Sequence, residues 1–215
     1  MVGTTMRPEL IPHELKDSNF EHSLPVLCKR YLQTYTNLQA ENSMLDVGGR
    51  ADGGANHYAQ ELSYWVMDYK ILNVVGEEHP RFIKGDITNC PQIPDNSIDF
   101  VYSSDTFEHI SKPWLAAKEI TRILKPGGFC FISTLFAWRY HKEPEDYFRY
   151  TPFGLISLFE DGMEALESNW DGKNRRGPTG GGMQGDGTAN DIVPVDLLGA
   201  WRENWRVYYF GKKKK

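Results

Sequence analysis

The chain is poor in the residues that would announce a stapled or metal-bound fold. Its 215 residues hold three cysteines, Cys28, Cys90 and Cys130. They are odd in number, far apart and form no Cys-x-x-Cys pair, which argues against a disulfide framework and a thiolate zinc site. Cys130 lies in an apolar run and reads as a core residue. The six histidines show no His-x-x-x-His spacing, so no metal is expected. Apolar runs long enough to span a bilayer are missing. The opening stretch MVGTTMRPELIPHELKDSNF has no apolar signal core, so an intracellular, cytoplasmic location away from membranes is expected. Basic charge is scarce too. A formal net charge of −5 argues against a nucleic-acid partner. The Lys212–Lys215 run is the one basic block and reads as a solvated tail.

What remains is ordinary globular composition, 40% hydrophobic and 25% charged, at a length that fits one domain. An N-terminal arm and helix occupy residues 1–40. The Gly-rich stretch 171–190, with Gly180-Gly181-Gly182, reads as a flexible loop. From Leu24 to Leu38 the positions Leu27, Tyr31, Tyr35 and Leu38 predict one helical face. A second helix is predicted over Pro113–Leu124, where Ala116, Ile120, Ile123 and Leu124 share a face. A third starts at Thr151 with Pro152 in its first turn and runs to Phe159. His57–Trp65 suits a short helix.

Seven strands are predicted: 44–47, 71–75, 82–87, 98–103, 129–135, 164–170 and 205–210. Lys125-Pro126-Gly127-Gly128 suits a type II turn ahead of the fifth. Strands alternating with helices imply an α/β fold whose mostly parallel sheet carries helices on both faces. Ligands of such sheets bind beyond the carboxyl ends of the strands. The first of these ends carries Asp46-Val47-Gly48-Gly49. Glycine there lets backbone approach a nucleotide-like ligand, and the acidic neighbour can accept hydrogen bonds from an amine or from loop amides.

Several segments in order resemble class I S-adenosylmethionine-dependent methyltransferases of the "methyltransferase type 11" sort. Leu45-Asp46-Val47-Gly48-Gly49 is similar to the glycine-rich first motif. Gly85-Asp86-Ile87 and Ile93-Pro94-Asp95-Asn96-Ser97-Ile98-Asp99-Phe100-Val101 are similar to the third strand and the approach to the fourth. Phe107-Glu108-His109-Ile110 resembles the segment after strand four, and Arg122-Ile123-Leu124-Lys125-Pro126-Gly127-Gly128 the helix and turn before strand five. His141 to Pro152 resembles a stretch found in some of these enzymes. The resemblance covers residues 40–160. It implies a Rossmann-like class I fold with S-adenosylmethionine as the cofactor. Asp46, Gly48 and Gly49 are then expected at its methionine end, Asp86 and the Ile87 backbone at the adenine edge, and Ser103 or Ser104 beside the methionine moiety or the transferring methyl.

This sequence departs from the family pattern twice. Arg50-Ala51-Asp52 delays the next glycines, Gly53-Gly54. The acidic residue expected at the end of strand two to hold the ribose is replaced by Asn73-Val74-Val75-Gly76-Glu77-Glu78, which leaves Glu77 or Asn73 to serve. His141 and His109 are the candidate general bases, since imidazole titrates near neutral pH. Tyr147 and Arg149 are candidate substrate contacts, Arg149 for an anionic group. Phe136, Trp138, Tyr140, Tyr147 and Phe148 are candidate walls of the acceptor pocket. The alternative for each is structural: a cap for His109, a salt-bridged clasp around Asp146 and Arg149, loop packing for the aromatics.

The expected activity is methyl transfer to a small molecule or glycan, with an oxygen acceptor the first choice. No Asn-Pro-Pro-Tyr segment of the kind that methylates amino groups of bases is present. The alternative is a cofactor-binding or regulatory protein on the same fold without turnover. A nicotinamide-dependent oxidoreductase is disfavoured, because the first loop lacks Gly-x-Gly-x-x-Gly.

Overall fold

The computed structural model describes residues 24–37, 41–50, 68–75, 79–137, 140, 145–170, 174–175 and 203–215. Helix α1 spans Leu24–Tyr35, α2 Pro113–Ile123 and α3 Pro152–Phe159. The strands are β1 Ser43–Val47, β2 Asp68–Asn73, β3 Phe82–Lys84, β4 Ile98–Ser104, β5 Leu124–Ala137, β6 Met163–Trp170, β7 Asn174–Arg175 and β8 Glu203–Lys213. They form one sheet in the order β3-β2-β1-β4-β5-β8-β6, with the short β7 paired to the start of β8.

The sheet is more mixed than the expected mostly parallel one. β3, β2, β1, β4 and β5 pair in parallel, whereas β8 runs antiparallel to β5, β6 and β7. The physical reason is connection length. Parallel neighbours need a crossover between them, while the last strand returns and inserts between β5 and β6.

Side chains alternate strictly across the sheet. Met44, Ile71, Phe100, Phe131 and Phe210 pack on one face under Cys28, Tyr31 and Leu32 of α1. Leu45, Leu72, Val101, Ile132 and Val207 pack on the other, under Ala116 and Ile120 of α2 and Leu155 and Phe159 of α3. Both faces are therefore covered, and Cys130 is buried in the second core as expected. In α1 the inward residues are Cys28, Tyr31 and Leu32. Tyr31 faces inward as the predicted stripe has it, Tyr35 is partly exposed with its ring against Phe210, and the Leu27 side chain and Leu38 lie outside the described residues.

Strand boundaries differ from the periodicity at several ends, and β3 stops at Lys84 rather than reaching Ile87. β2 ends at Asn73, and Val74 and Val75 extend past the sheet with 55% and 70% exposure. β5 already begins at Leu124. Ile98 pairs with Leu124 but Phe100 with Phe129, so the Lys-Pro-Gly-Gly segment is a bulge inside the strand, with Gly127 at φ +81°. β8 reaches Lys213, so half of the lysine run is not a solvated tail. Lys212 pairs with Phe129, and the Lys213 ammonium donates to the Leu124 carbonyl and to Asn96 Oδ1, both at 2.7 Å.

Arg122 locks this frame. Its guanidinium donates to the carbonyls of Ile93 (2.9 Å) and Cys90 (3.0 Å) and to Glu119 Oε2 (2.9 Å). The helix before the Pro-Gly-Gly bulge is thereby tied to the loop between β3 and β4.

Candidate active site

The carboxyl ends of β1, β2 and β4 meet at the bend after Val47. Gly48 adopts φ +83°, and a Cβ there would collide with the Thr106 side chain. Any other residue at this position would be both strained and clashing. A Cβ at Gly49 would collide with the Asp46 carboxylate. The two glycines thus let the chain fold back over its own acidic residue. The bend is pinned from three sides. The Gly48 amide donates to the Leu72 carbonyl at 2.8 Å. Ser103 Oγ donates to the Val47 carbonyl at 3.0 Å, and Thr106 Oγ1 to the same oxygen at 3.3 Å. Asn73 Nδ2 donates to the carbonyls of Gly49 (3.0 Å) and Gly48 (3.4 Å).

Asp46 lies beneath this bend and is buried. The Tyr69 hydroxyl donates to Oδ2 at 3.0 Å, while Oδ1 has no hydrogen-bond partner among the described residues. Burial pushes the carboxyl up to about 7, with the Tyr69 hydrogen bond acting the other way. A buried carboxylate oxygen without a donor is costly and is commonly explained by a missing partner. An ammonium or amide brought to the bend would supply one. Asp46 and the glycine bend therefore suit an ammonium group such as that of S-adenosylmethionine.

The second strand is different. Asn73 is spent on the bend, because Nδ2 holds the glycine carbonyls and Oδ1 accepts from the Val75 amide at 3.2 Å. Glu77 and Glu78 lie outside the described residues. Asp86 is exposed after β3. Its Oδ1 accepts from both the amide and the hydroxyl of Thr88 at 2.8 Å, a turn-capping arrangement, and Ile87 beside it is buried.

A second buried acidic residue follows β4. Phe107–His109 form a short 3₁₀ turn, in which Glu108 is fully buried. Thr134 Oγ1 donates to Glu108 Oε2 at 2.7 Å, and Oε1 has no hydrogen-bond partner among the described residues. Burial pushes this carboxyl up to about 7, and the nearby charge of Asp105 adds to the effect. Asp105 is held at φ +49° and forms a two-pronged ion pair with Arg206 of β8, both contacts at 2.8 Å.

His109 does not stand free over the sheet. Its Nδ1 lies 2.6 Å from the Glu145 carbonyl and its Nε2 3.7 Å from Glu108 Oε1. The segment 145–150 is strapped to the same turn. The amides of Tyr147 and Phe148 donate to the Glu108 carbonyl, and the Tyr150 hydroxyl to the Phe107 carbonyl. Arg149 forms a two-pronged ion pair with the buried Asp146, one arm at 2.7 Å. Tyr147 and Tyr140 are exposed, while Phe136 and Phe148 are half-buried against the core. His141 and Trp138 lie outside the described residues.

The structure thus brings together Asp46, Gly48, Gly49, Asn73 and Ser103 at one bend, and His109, Tyr147 and Arg149 at a neighbouring turn and strap. Asp86 and Ile87 follow β3, just past Gly85, whose amide donates to the Asn73 carbonyl at 2.9 Å. Tyr69, Thr106 and Thr134 were not foreseen. Each is an ordinary-looking residue whose partner lies far away in sequence.

A methyltransferase-domain family model matches residues 26–132, about half of the chain. An uncharacterized methyltransferase of Mycobacteroides abscessus is 31% identical over 101 residues, 42% of this chain and 39% of that protein. Phosphoethanolamine N-methyltransferase 2 of Caenorhabditis elegans is 28% identical over 131 residues, covering 56% of this chain and 30% of that enzyme. Among solved structures, a SAM-dependent methyltransferase from Methanosarcina mazei superposes with a TM-score of 0.57 at 15% identity, covering 86% of this chain and 97% of that one. The matches span about two fifths or less of these two curated relatives' length. The chain belongs to the S-adenosylmethionine-dependent class I methyltransferases.

Proposed function

We propose that the protein transfers the methyl group of S-adenosylmethionine to an oxygen on a small molecule or glycan. The observation that carries this reading is the bend at Gly48-Gly49 above the open Oδ1 of Asp46. S-adenosylmethionine, when bound, supplies an already activated methyl group. The chain's own task is to bind, orient and exclude water, because in-line transfer needs the nucleophile close and partly desolvated.

In this reading Asp46 accepts the amine at the methionine end. Gly48 and Gly49 let the backbone come close, and Ser103 borders the transferring methyl. Asp86, with Oδ2 left over from its turn, and the Ile87 backbone meet the adenine edge. Glu77 is assigned to the ribose hydroxyls, since Asn73 acts on them only indirectly by shaping the bend. The strap at 145–150 forms the acceptor side, with Tyr147 at its surface and Arg149, held by Asp146 and the Phe148 carbonyl, lending its charge to an anionic acceptor group. His109 and His141 are the bases for a hydroxyl acceptor. The net charge of −5 supports a small-molecule or glycan acceptor over nucleic acid, and a cytoplasmic setting is part of the proposal. No helix among the described residues is long and apolar enough to cross a membrane.

A nitrogen acceptor is the second reading, favoured by the similarity to a phosphoethanolamine N-methyltransferase. A non-catalytic binding protein is the third, favoured by Asn73 standing where the family has an acidic residue. Incubation with methyl-labelled S-adenosylmethionine and a panel of hydroxylated small molecules, glycans and phosphoethanolamine separates them. Label on a hydroxyl compound is the expected result, and label on phosphoethanolamine alone moves the assignment to nitrogen. Cofactor binding without transfer to any of them supports the third reading.

A further inference from the structure

We propose that the buried hydroxyls of Tyr102, Ser104 and Ser133, beside Asp46, hold the carboxylate of an α-amino-acid group, so that the four side chains together take the amino-acid end of S-adenosylmethionine. This rests on the methyltransferase reading above and gives it residues that the motifs do not carry. Tyr102 and Ser133 fall outside every segment on which the resemblance stands.

The four side chains lie on one face of the sheet. Alternation sets Asp46 two residues beyond Met44, Tyr102 and Ser104 two and four beyond Phe100, and Ser133 two beyond Phe131, and those apolar residues pack under α1. Their strands, β1, β4 and β5, are neighbours. The parallel register places Asp46 opposite Tyr102 and Ser104 opposite Ser133. Each of the four residues is at most 1% exposed. Yet Asp46 Oδ1, Tyr102 Oη, Ser104 Oγ and Ser133 Oγ have no hydrogen-bond partner among the described residues. The other buried side-chain atom in this position there is Glu108 Oε1, whose carboxyl belongs with Thr134 on the opposite face. Four of five such atoms thus gather in one patch.

Such a patch is costly unless something completes its hydrogen bonds, and phenylalanine or alanine in the same places would avoid the cost. Ser103 shows the contrast, because its hydroxyl is spent on the Val47 carbonyl. The three hydroxyls do not satisfy one another either. Ser104 lies near the Tyr102 phenol without hydrogen-bond geometry. Burial holds that phenol well above its ordinary value, so it stays a donor. The Tyr102 ring is stacked on Phe131, with centroids 5.8 Å apart and planes within 5°, which fixes the phenol in advance. Arg206 of β8, on the same face, is taken up by Asp105, so the donors that this patch itself offers are hydroxyls. One acid beside three hydroxyl donors matches the two charges of an α-amino-acid group. The ammonium suits Asp46 Oδ1, and the carboxylate suits the hydroxyls.

The test is calorimetric titration of the full chain with two probes. One is S-adenosylhomocysteine, and the other is its decarboxylated form, which keeps the ammonium and lacks the carboxylate. Wild type is expected to bind the decarboxylated form about tenfold more weakly, the worth of a hydrogen bond to a charged group. Tyr102→Phe removes one hydroxyl and keeps the ring. It is expected to melt at the wild-type temperature or above, since it deletes an unpartnered buried hydroxyl. It is also expected to bind S-adenosylhomocysteine about tenfold more weakly and the decarboxylated form as wild type does. A merely structural hydroxyl predicts the reverse: a lower melting temperature with both probes affected alike, and that result overturns the inference. Ser104→Ala and Ser133→Ala carry the same expectations and do not depend on the Tyr102 variant folding. Equal affinity of wild type for the two probes, or unchanged affinity of all three variants for S-adenosylhomocysteine, overturns the inference and leaves the methyltransferase reading standing. Failure of a folded wild-type chain to bind S-adenosylhomocysteine sinks the methyltransferase reading itself.

Discussion

At the residue scale, Asp46 and Asn73 shape the bend after β1 in different ways. Asp46 is the buried acid with an open oxygen, and Asn73 is a clamp. Asp46→Asn keeps the size and removes the charge that would meet an ammonium. Cofactor affinity is expected to fall by roughly ten- to a hundredfold, the worth of one charged hydrogen bond, as read by calorimetry with S-adenosylhomocysteine. Asn73→Asp is the sharper probe. It restores the acidic residue of the family pattern, but a carboxylate cannot donate to the Gly48 and Gly49 carbonyls. The clamp account predicts weaker binding in this variant. Tighter binding in the same titration would instead assign position 73 to the ribose.

At the element scale, bends are what hold the site, and they follow local rules. Gly48 and Gly127 both have positive φ, near +80°. Gly127→Ala is expected to cost about 1 kcal/mol, visible as a lower denaturation midpoint with cofactor binding intact. Gly48→Ala combines the same strain with a collision against Thr106, so it is expected to lower both stability and affinity. These glycines were legible in the sequence because each follows or precedes an apolar strand run. So were α2, whose apolar stripe is regular, and the buried strands β1 and β4. Less legible were the ends. Val74 and Val75 look like strand residues yet project past the sheet, since apolar composition does not say where a neighbouring strand stops pairing. Lys212 and Lys213 look like a tail yet lie in β8, because their ammonium groups find partners on the sheet: Lys213 at the Leu124 carbonyl and Asn96, Lys212 over the Phe129 ring. At the site, the clasp between Arg149 and Asp146 was one of two readings of that cluster, and only the fold shows the two side chains facing one another. The contact of Glu108 with Thr134 joins a turn to a strand that no periodicity relates to it.

At the scale of the whole molecule, two buried carboxyls in one edge of the sheet set a pH dependence. Asp46 and Glu108 are both pushed up to about 7 from ordinary values of 3.8 and 4.5. Between roughly pH 4.5 and 7 the folded protein keeps protons that the unfolded chain has released. Stability from these two groups therefore falls as pH rises through that window. Glu119, held down at about 2 by Arg122, and Asp99, lowered beside Lys125, contribute stability that is lost only at more acidic pH. They do not mask the trend. The melting temperature of the cofactor-free protein is expected to drop between about pH 4.5 and 7, and the double variant Asp46→Asn, Glu108→Gln is expected to flatten that drop. A profile as steep in the double variant as in wild type would show that other groups dominate.

The same molecule-wide arrangement makes cofactor binding the central claim, since the buried Oδ1 of Asp46 has no donor among the described residues. Isothermal titration of the wild-type chain with S-adenosylmethionine tests it directly. The account predicts saturable, single-site binding that Asp46→Asn weakens while the variant remains folded. Absence of binding by a folded wild-type chain, or equal affinity in the variant, would contradict it.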